Sequence, residues 1–549
     1  MSTATAPETA TMQTTRKPTI LVTDGIHPSA CDILAGSCEV VFEKSLSPEA
    51  LLDKIKTADG LMIRSASRVT AEVLAAAPNL KIVGRAGVGT DNIDLNAATQ
   101  SGVVVVNSPE GNTIAAAEHT VGMIFAMARK IPQAHGTMVQ GQWNRSAYTG
   151  IELFGKTLGV IGMGKIGSRV AKACQAMGMK VLVYDPFLSQ TKAKELDVTL
   201  VDLAAIWQSA DFITVHVPKT PETANLLNTT TLAQCKKGVM IVNCARGGVI
   251  DEQALVDALK LGHVGAAALD VFSSEPIAAD SPFLTQLDAI RDKVVLTPHL
   301  GASTQEAQVN VALDVAEQIR DFFEFGFAQS AVNIPTLRKD VLDPVKGFMP
   351  LAEVLGHFIR QIAKGAVSQV DIISHGALAQ VNTSPLTLAV LKGLFAGSRE
   401  GVNYVNALPI AEERGIRVET SAIHQSESYR NLITVVVKTD QGRFSVAGSR
   451  ISGGNIHIVD INGYAMLLEP SPYILLAPHT DQPGMIAQVA KVLGENQINV
   501  SAMQVARQDS HTVGGESIMV FTTDTEIPDA VVQQVATLPG ITGAKFISL

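Results

Sequence analysis

Residues 159–169 read GVIGMGKIGSR: three glycines, at 162, 164 and 167, follow a short apolar run and open a helix-like stretch. A bare GxGxxG is weak evidence, so its setting decides the fold. The preceding TLGVI is β-branched and non-alternating, as a buried parallel strand should be, and a second such run, KVLVYD, ends in Asp185, 23 residues beyond Gly162. This is the pattern of a dinucleotide site. Gly162 permits the tight turn, Gly164 lets the backbone approach a pyrophosphate, and Gly167 allows close helix–strand packing. The first helical residues, Lys165 and Ile166, offer amides to the phosphates, and Asp185 accepts from the adenosine ribose hydroxyls. A carboxylate there repels a 2′-phosphate, so the expected cofactor is NAD rather than NADP.

The same pattern repeats on both sides of the motif. Downstream, DFITVHVP at 211–218, GVMIVNCARGG at 238–248, VGAAALDVF at 264–272 and KVVLTPHLG at 293–301 are further strand-like runs. Upstream, TILVTDG at 19–25, GLMIRS at 60–65, LKIVGRA at 80–86 and GVVVVNS at 102–108 form an earlier series, with Ser- or Thr-capped helices over SPEALLDKIKTA and TAEVLAAAP. This alternation predicts an α/β protein with two doubly wound domains, Rossmann-like or flavodoxin-like, linked by a long buried helix over 113–130. A helix running to about residue 326 is long enough to return to the first unit. A discontinuous domain, 19–112 with 299–334, is therefore expected around a cofactor domain at 113–298. Residues 335–469 change character and read as an α+β domain. Residues 470–549 give the order βαββαβ of a small split-βαβ module, and residues 1–18, without the apolar stretch of a secretory signal, read as a flexible tail.

A length of 549 residues suits about three or four domains. Hydrophobic residues make up 46% and charged residues 17%, which predicts sizeable cores; the formal charge of −9 argues against general nucleic-acid or anionic-membrane binding. No run approaches the ~18 apolar residues of a spanning helix. The five cysteines, at 31, 38, 174, 235 and 244, form no CxxC pair and no metal-ligand spacing, so no metal is expected. They suggest a reducing compartment: the cytoplasm, or an organelle stroma or matrix if the tail is a targeting remnant.

Three ionisable residues follow strand-like runs of the cofactor half: Arg246 after VMIVNCA, Glu275 after GAAALDVFSS and His299 after KVVLTP. In an open parallel sheet such positions line the ligand crevice. Together they can oxidise a 2-hydroxy acid. His299 takes the hydroxyl proton, Glu275 holds the second ring nitrogen and fixes the tautomer, and Arg246 clamps the substrate carboxylate and 2-oxygen. His216, Cys244 and Asp270 are expected to border the cofactor. Cys244 is equally a small buried apolar residue, and His119, between apolar residues in mid-helix, reads as a satisfied core group.

The stretches GRAGVGTDNID at 84–94, GKTLGVIGMGKIGSRVA at 155–171, VNCARGGVIDEQAL at 242–255, ALDVFSSEP at 268–276 and LTPHLGAST at 296–304 resemble, in combination and order, the D-isomer-specific 2-hydroxyacid dehydrogenase family. The resemblance covers about 19–335. It implies a cofactor domain inserted into a substrate domain, pairing into a homo-oligomer (dimer or tetramer), and the roles given above for Arg246, Glu275 and His299. The tail of more than 200 residues, ending in what looks like an ACT domain, resembles the long members that oxidise 3-phospho-D-glycerate at the entry to serine synthesis. That likeness implies a phosphate-facing role for Arg64, with Ser65, in LMIRSAS, and for Arg145 in GQWNRSAY, the latter in a neighbouring subunit's cleft. It places Val88, Gly89 and Asn107 beside the substrate carboxylate. It also makes His479, Asp481 and Asn499 the groups that hold an amino-acid effector, L-serine, between paired ACT-like domains. The rival readings are a relative acting on another 2-hydroxy acid, such as a hydroxypyruvate or glyoxylate reductase, and an NADH-sensing corepressor.

Overall fold

The computed structural model describes residues 16–325, 329–334, 345–397, 401–424, 429–451, 454–508 and 514–549. Most of the expected tail, and the segment 335–344 that follows the expected boundary at 334, lie outside these residues.

The first sheet is parallel, with β1 (Thr19–Val22), β2 (Glu39–Phe42), β3 (Gly60–Ile63), β4 (Ile82–Arg85) and β5 (Val104–Asn107) in the order β2-β1-β3-β4-β5. The edge strand β2 was not anticipated. Its EVVF is only partly covered and is flanked by charge, so it lacks the apolar density of the central strands. One face of the sheet is closed by the helix Gln305–Phe325, whose Val311, Val315 and Ile319 pack with Ile20, Met62 and Ile82. Gly84 makes room for that helix, since a Cβ there would lie 2.4 Å from Val315 Cγ1.

The second sheet holds β6 (Thr157–Ile161), β7 (Lys180–Tyr184), β8 (Thr199–Leu200), β9 (Phe212–Val215), β10 (Val239–Asn243), β11 (Val264–Leu269) and β12 (Val294–Leu296), all parallel, in the order β12-β11-β10-β9-β6-β7-β8. The order reverses between β6 and β9, and a ligand crevice is expected outside the C-terminal ends of the strands at that point. The long helix Thr113–Ala128 belongs to this unit through Met123, Ile124 and Met127, which pack with Val160, Val242 and Ala268.

A third, mixed sheet contains β13 (Val367–Gly376), β14 (Arg417–Ile423), β15 (Asn431–Thr439), β16 (Gly442–Arg450), β17 (Ile456–Ile461) and β18 (Tyr464–Leu468), in the order β14-β13-β15-β16-β17-β18. The helices Met349–Ile362 and Ser384–Leu394 cover it and touch backbone to backbone. A Cβ at Gly356 would sit 2.0 Å from the Val390 carbonyl oxygen, and one at Gly393 would sit 2.0 Å from that of Glu353. The last sheet, in the order β20-β21-β19-β22, is antiparallel throughout: β19 (Tyr473–Thr480) and β20 (Val500–Arg507) both run opposite to β21 (Glu516–Thr523), and β22 (Lys545–Ser548) runs opposite to β19. With helices Met485–Glu495 and Asp529–Ala536 it has the βαββαβ order. Among the described residues no helix is long and apolar enough to cross a membrane.

Candidate active site

The glycine loop joins β6 to the helix Lys165–Ala176. Gly162 has φ +92°, and a Cβ on Gly167 would come within 2.1 Å of the Gly162 carbonyl oxygen, so both positions need glycine. A Cβ at Gly164 would meet nothing, leaving open space before the helix amides of Lys165 and Ile166. Asp185 follows β7 and accepts from the Met163 and Phe187 amides at 2.7 and 2.8 Å, which fixes its carboxylate beside the loop. Open space, amide donors and an adjacent carboxylate fit a dinucleotide. The Lys165 ammonium pairs with Glu110. His216 lies behind the loop: its carbonyl oxygen would be 2.6 Å from a Gly162 Cβ, and its Nε2 is 2.9 Å from Thr214 Oγ1. Burial pushes its imidazole down to about 4, so it is neutral at neutral pH.

The loops after β10, β11 and β12 carry Arg246, Glu275 and His299. Their approach depends on Gly247, where a Cβ would fall 1.8 Å from the Phe272 carbonyl oxygen. Only a glycine lets the arginine turn lie against the 272–275 segment, which explains why Arg246 sits in a glycine-flanked sequence. Asn243, almost wholly buried at the end of β10, braces that turn by donating to the Arg246 carbonyl (2.9 Å) and accepting from the Ala245 amide (3.0 Å). His299 Nδ1 is 2.6 Å from Glu275 Oε2, and Glu275 Oε1 accepts from the Phe272 amide at 3.1 Å. Burial alone would raise the Glu275 carboxyl; the bonds from His299 and Phe272 outweigh it and hold the group below the ordinary carboxylate range. With Nδ1 engaged, Nε2 is the ring nitrogen left for proton transfer.

Asp270, expected to border the cofactor, follows β11 and is held by a network of protein groups. Its carboxylate is fully buried and accepts from Thr297 Oγ1 (2.5 Å), the Leu300 and Gly301 amides (2.8 and 2.9 Å) and His119 Nε2 (3.1 Å). Through the Leu300 and Gly301 amides Asp270 anchors the loop that holds His299 in a left-handed backbone (φ +55°). Burial would raise its pKa; the bonds from His119 and Thr297 keep it lowered. His119 is thus the partnered group its sequence context suggested. Cys244 backs onto Thr120, and burial pushes its thiol up to about 12.

Across the cleft, the substrate-side loops meet Arg246. A Cβ at Gly89 would be 2.5 Å from Arg246 Nη2, and Arg246 Nε lies 3.4 Å from Asp91 Oδ2. Asn107 donates to the Val88 carbonyl at 2.5 Å and so fixes the Val88–Gly89 turn. Arg64 and the exposed Ser65 follow β3. A residue not singled out from the sequence joins them. Arg85, at the end of β4, has a buried Nε without a hydrogen-bond partner, and burial followed by the nearby Arg246 disfavours its charge, with Arg64 adding to the effect. It lay within the quoted GRAGVGTDNID, at the C-terminal end of β4 and in register with Ile63, next to Arg64. Arg145 is exposed on the turn Arg145–Tyr148, beside the 82%-exposed Trp143.

The effector candidates are not brought together within one chain. His479 is buried, with Nδ1 3.2 Å from the Ala477 carbonyl oxygen; Asp481 pairs with Arg507 at 2.8 Å; Asn499 donates to Asp524 at 2.6 Å. Because β19 and β20 run parallel, Asp481 just past the end of β19 and Asn499 just before the start of β20 lie at opposite ends of the sheet.

Comparison with known proteins agrees with this architecture. Residues 121–301 match the D-isomer specific 2-hydroxyacid dehydrogenase NAD binding domain, 344–462 the D-3-phosphoglycerate dehydrogenase intervening domain, and 474–540 the ACT domain. A D-3-phosphoglycerate dehydrogenase of Synechocystis is 45% identical over 96% of this chain and 94% of its own, and that of Methanocaldococcus jannaschii is 43% identical over 96% and 99%. The apo-structure of D-lactate dehydrogenase from Escherichia coli superposes with a TM-score of 0.51 at 28% identity, covering 57% of this chain and 99% of that one. The chain belongs to the D-3-phosphoglycerate dehydrogenase family, among the NAD-dependent D-isomer specific 2-hydroxyacid dehydrogenases.

Proposed function

We propose that the chain oxidises 3-phospho-D-glycerate to 3-phosphooxypyruvate with NAD, the entry to serine synthesis. The observation that carries this reading is the gathering of Arg64, Arg85 and Arg246, with the Arg85 Nε buried and unpartnered. A buried guanidinium facing two others, only partly offset by Asp91 and Asp24, favours an added anion, and a substrate with both a carboxylate and a phosphate supplies two. Arg246 and the Val88–Gly89 turn hold the carboxylate and the 2-oxygen; Arg64 and Arg85 take the phosphate. His299 Nε2 accepts the C2 hydroxyl proton while Glu275 keeps Nδ1 protonated and the ring oriented. NAD, when bound, supplies the acceptor for the C2 hydride. Asp270, paired with His119, holds the His299 loop.

Further parts of the reading follow from the same residues. Domain limits at 19–112 with 299–334, 113–298, 335–469 and 470–549 fit the four sheets. A homo-oligomer would cover Trp143 and Phe154, 82% and 77% exposed, and would give Arg145 a neighbour's cleft to serve. The separation of Asp481 from Asn499 favours an L-serine site shared between two chains. Five unpaired cysteines suit a cytoplasmic setting.

The test is NADH formation with 3-phospho-D-glycerate, D-glycerate and D-lactate, for the native chain and for Arg64→Ala. Preference for the phosphorylated acid, lost in the variant while the unphosphorylated acids change little, supports the reading. Turnover of an unphosphorylated acid alone would leave the proton-transfer pair standing and overturn the substrate.

A further inference from the structure

Arg64 is carried by residues 64–67, which no helix or strand holds. What fixes this segment comes from two side chains of other loops. Asp24 follows β1 in a left-handed backbone, φ +64°, a conformation rarely adopted by a residue other than glycine. Its Oδ2 accepts from the Arg64 amide and from the Ser67 amide, both at 2.9 Å, and its Oδ1 accepts from Ser67 Oγ at 2.6 Å. From the other side, Asn92 Nδ2 donates to the Arg64 carbonyl at 2.8 Å and to the Ser67 carbonyl at 2.6 Å. Both backbone polar groups of Arg64, and both of Ser67, are thus tied to side chains from outside the loop.

We infer that Asp24 and Asn92 are positioning residues for recognition of the substrate phosphate, acting by fixing the backbone from which Arg64 projects. The inference rests on the proposed phosphate role of Arg64. Charge does not explain Asp24: the carboxylate lies close enough to favour the charged form of Arg85, and a negative group there opposes an incoming phosphate. Its geometry explains it, since one carboxylate meets three donors that would otherwise leave the loop free to shift. A displacement of about 1 Å in a positioning group can cost on the order of a hundredfold. Asn92 also ties this loop to the 88–91 turn that meets Arg246, so the two anion-holding segments of the substrate side are set against each other.

The experiment compares Asp24→Ala, Asp24→Asn, Asn92→Ala and Arg64→Ala in the full chain, reading kcat and KM for 3-phospho-D-glycerate and for D-glycerate, with Tm for each. Asp24→Ala and Asn92→Ala should raise KM for the phosphorylated acid about tenfold or more with a smaller change in kcat. D-glycerate kinetics should stay near native. Asp24→Asn should recover most of the loss, because its oxygen can accept both amides and its NH2 can donate to Ser67 Oγ. Should Asp24→Ala fail to fold, Ser67→Ala removes only the hydroxyl bond and should raise the same KM by a smaller factor. If Arg64→Ala abolishes phosphate preference while both clamp variants keep native KM, the clamp is refuted and the phosphate reading survives. If Arg64→Ala itself leaves the preference intact, the phosphate reading fails and the inference with it. An equal fall in kcat for both acids would reduce Asp24 to a general structural role.

Discussion

Replacing Gly247 by alanine tests the claim that the site is assembled by one close backbone approach. The added Cβ would lie 1.8 Å from the Phe272 carbonyl oxygen, 2.1 Å from its carbon and 2.8 Å from the Ser273 nitrogen. All three are main-chain atoms, so no rotamer change relieves the clash. Ordinary contact begins at 3.4 Å, so the turn carrying Arg246 and the 272–275 segment must separate by about 1.6 Å. That displaces the substrate clamp from the Glu275–His299 pair, and a shift of this size costs on the order of a hundredfold in kcat/KM, about 2.7 kcal/mol of transition-state stabilisation. Overpacking should lower stability by about 1–3 kcal/mol. The glycine loop at 162–167 lies elsewhere, so NADH binding followed by fluorescence should stay near native. Gly164→Ala is the matched control: its Cβ meets no protein atom, so Tm should hold while the KM for NAD rises, the methyl occupying the space before the helix amides. Gly247→Ala with kcat/KM within threefold of native and an unchanged Tm would refute the reasoning.

Three other outcomes are expected. His299→Asn should lose the oxidation rate by about a hundredfold or more at neutral pH while still binding NADH; a retained rate would remove His299 from the proton step. Asp270 has a folded pKa below its ordinary 3.8, so its carboxylate stabilises the fold above that value and the contribution is lost as pH falls through the lower folded value. The native chain should therefore lose more Tm between about pH 6 and pH 3 than Asp270→Asn, and equal losses would contradict the buried network. Burial raises the Cys174 and Cys235 thiols to about 11 and the Cys244 thiol to about 12. In the native chain at about pH 8, iodoacetamide should label these three far more slowly than after unfolding, as read by peptide mass spectrometry.

The parts of this protein legible from sequence were those with dense, short-range signals. GVIGMGKIGSR, the positions of Arg246, Glu275 and His299 after strands, and the split-βαβ order all depend on local spacing, and the three residues follow the consecutive strands β10, β11 and β12. What escaped has a different physical basis. Edge strand β2 is only partly buried, so its composition carries little periodic signal. Asp24, Asn92 and Asn243 act through bonds to backbone groups, which side-chain pattern cannot reveal, and the partners of Asp24 are 40 and 43 residues away. The bonds of Asp270 to the 297–301 loop depend on which neighbouring groups fill its oxygens, which its position after a strand does not reveal. Arg85 was within a quoted motif and went unassigned because burial, the property that sets it apart from a surface arginine, is absent from a sequence.

The arrangement of charge also accounts for how the two halves of the cleft can respond to substrate. Arg246 belongs to the cofactor-side sheet, yet its guanidinium lies over Gly89 and pairs with Asp91 of the substrate side. That pair is 3.4 Å long and its Asp91 side chain is 74% exposed, a geometry in which an ion pair contributes about 0–1 kcal/mol. In the proposed reaction a substrate carboxylate, held bidentately and shielded from water, would displace Asp91 at little cost and take over the link between the halves. A phosphate on the same substrate, as proposed, would offset the repulsion of Arg85 by Arg246 and Arg64. The energy that distinguishes the liganded cleft then comes from groups on both sides of it, so an anion with only one of the two charges satisfies only part of the set.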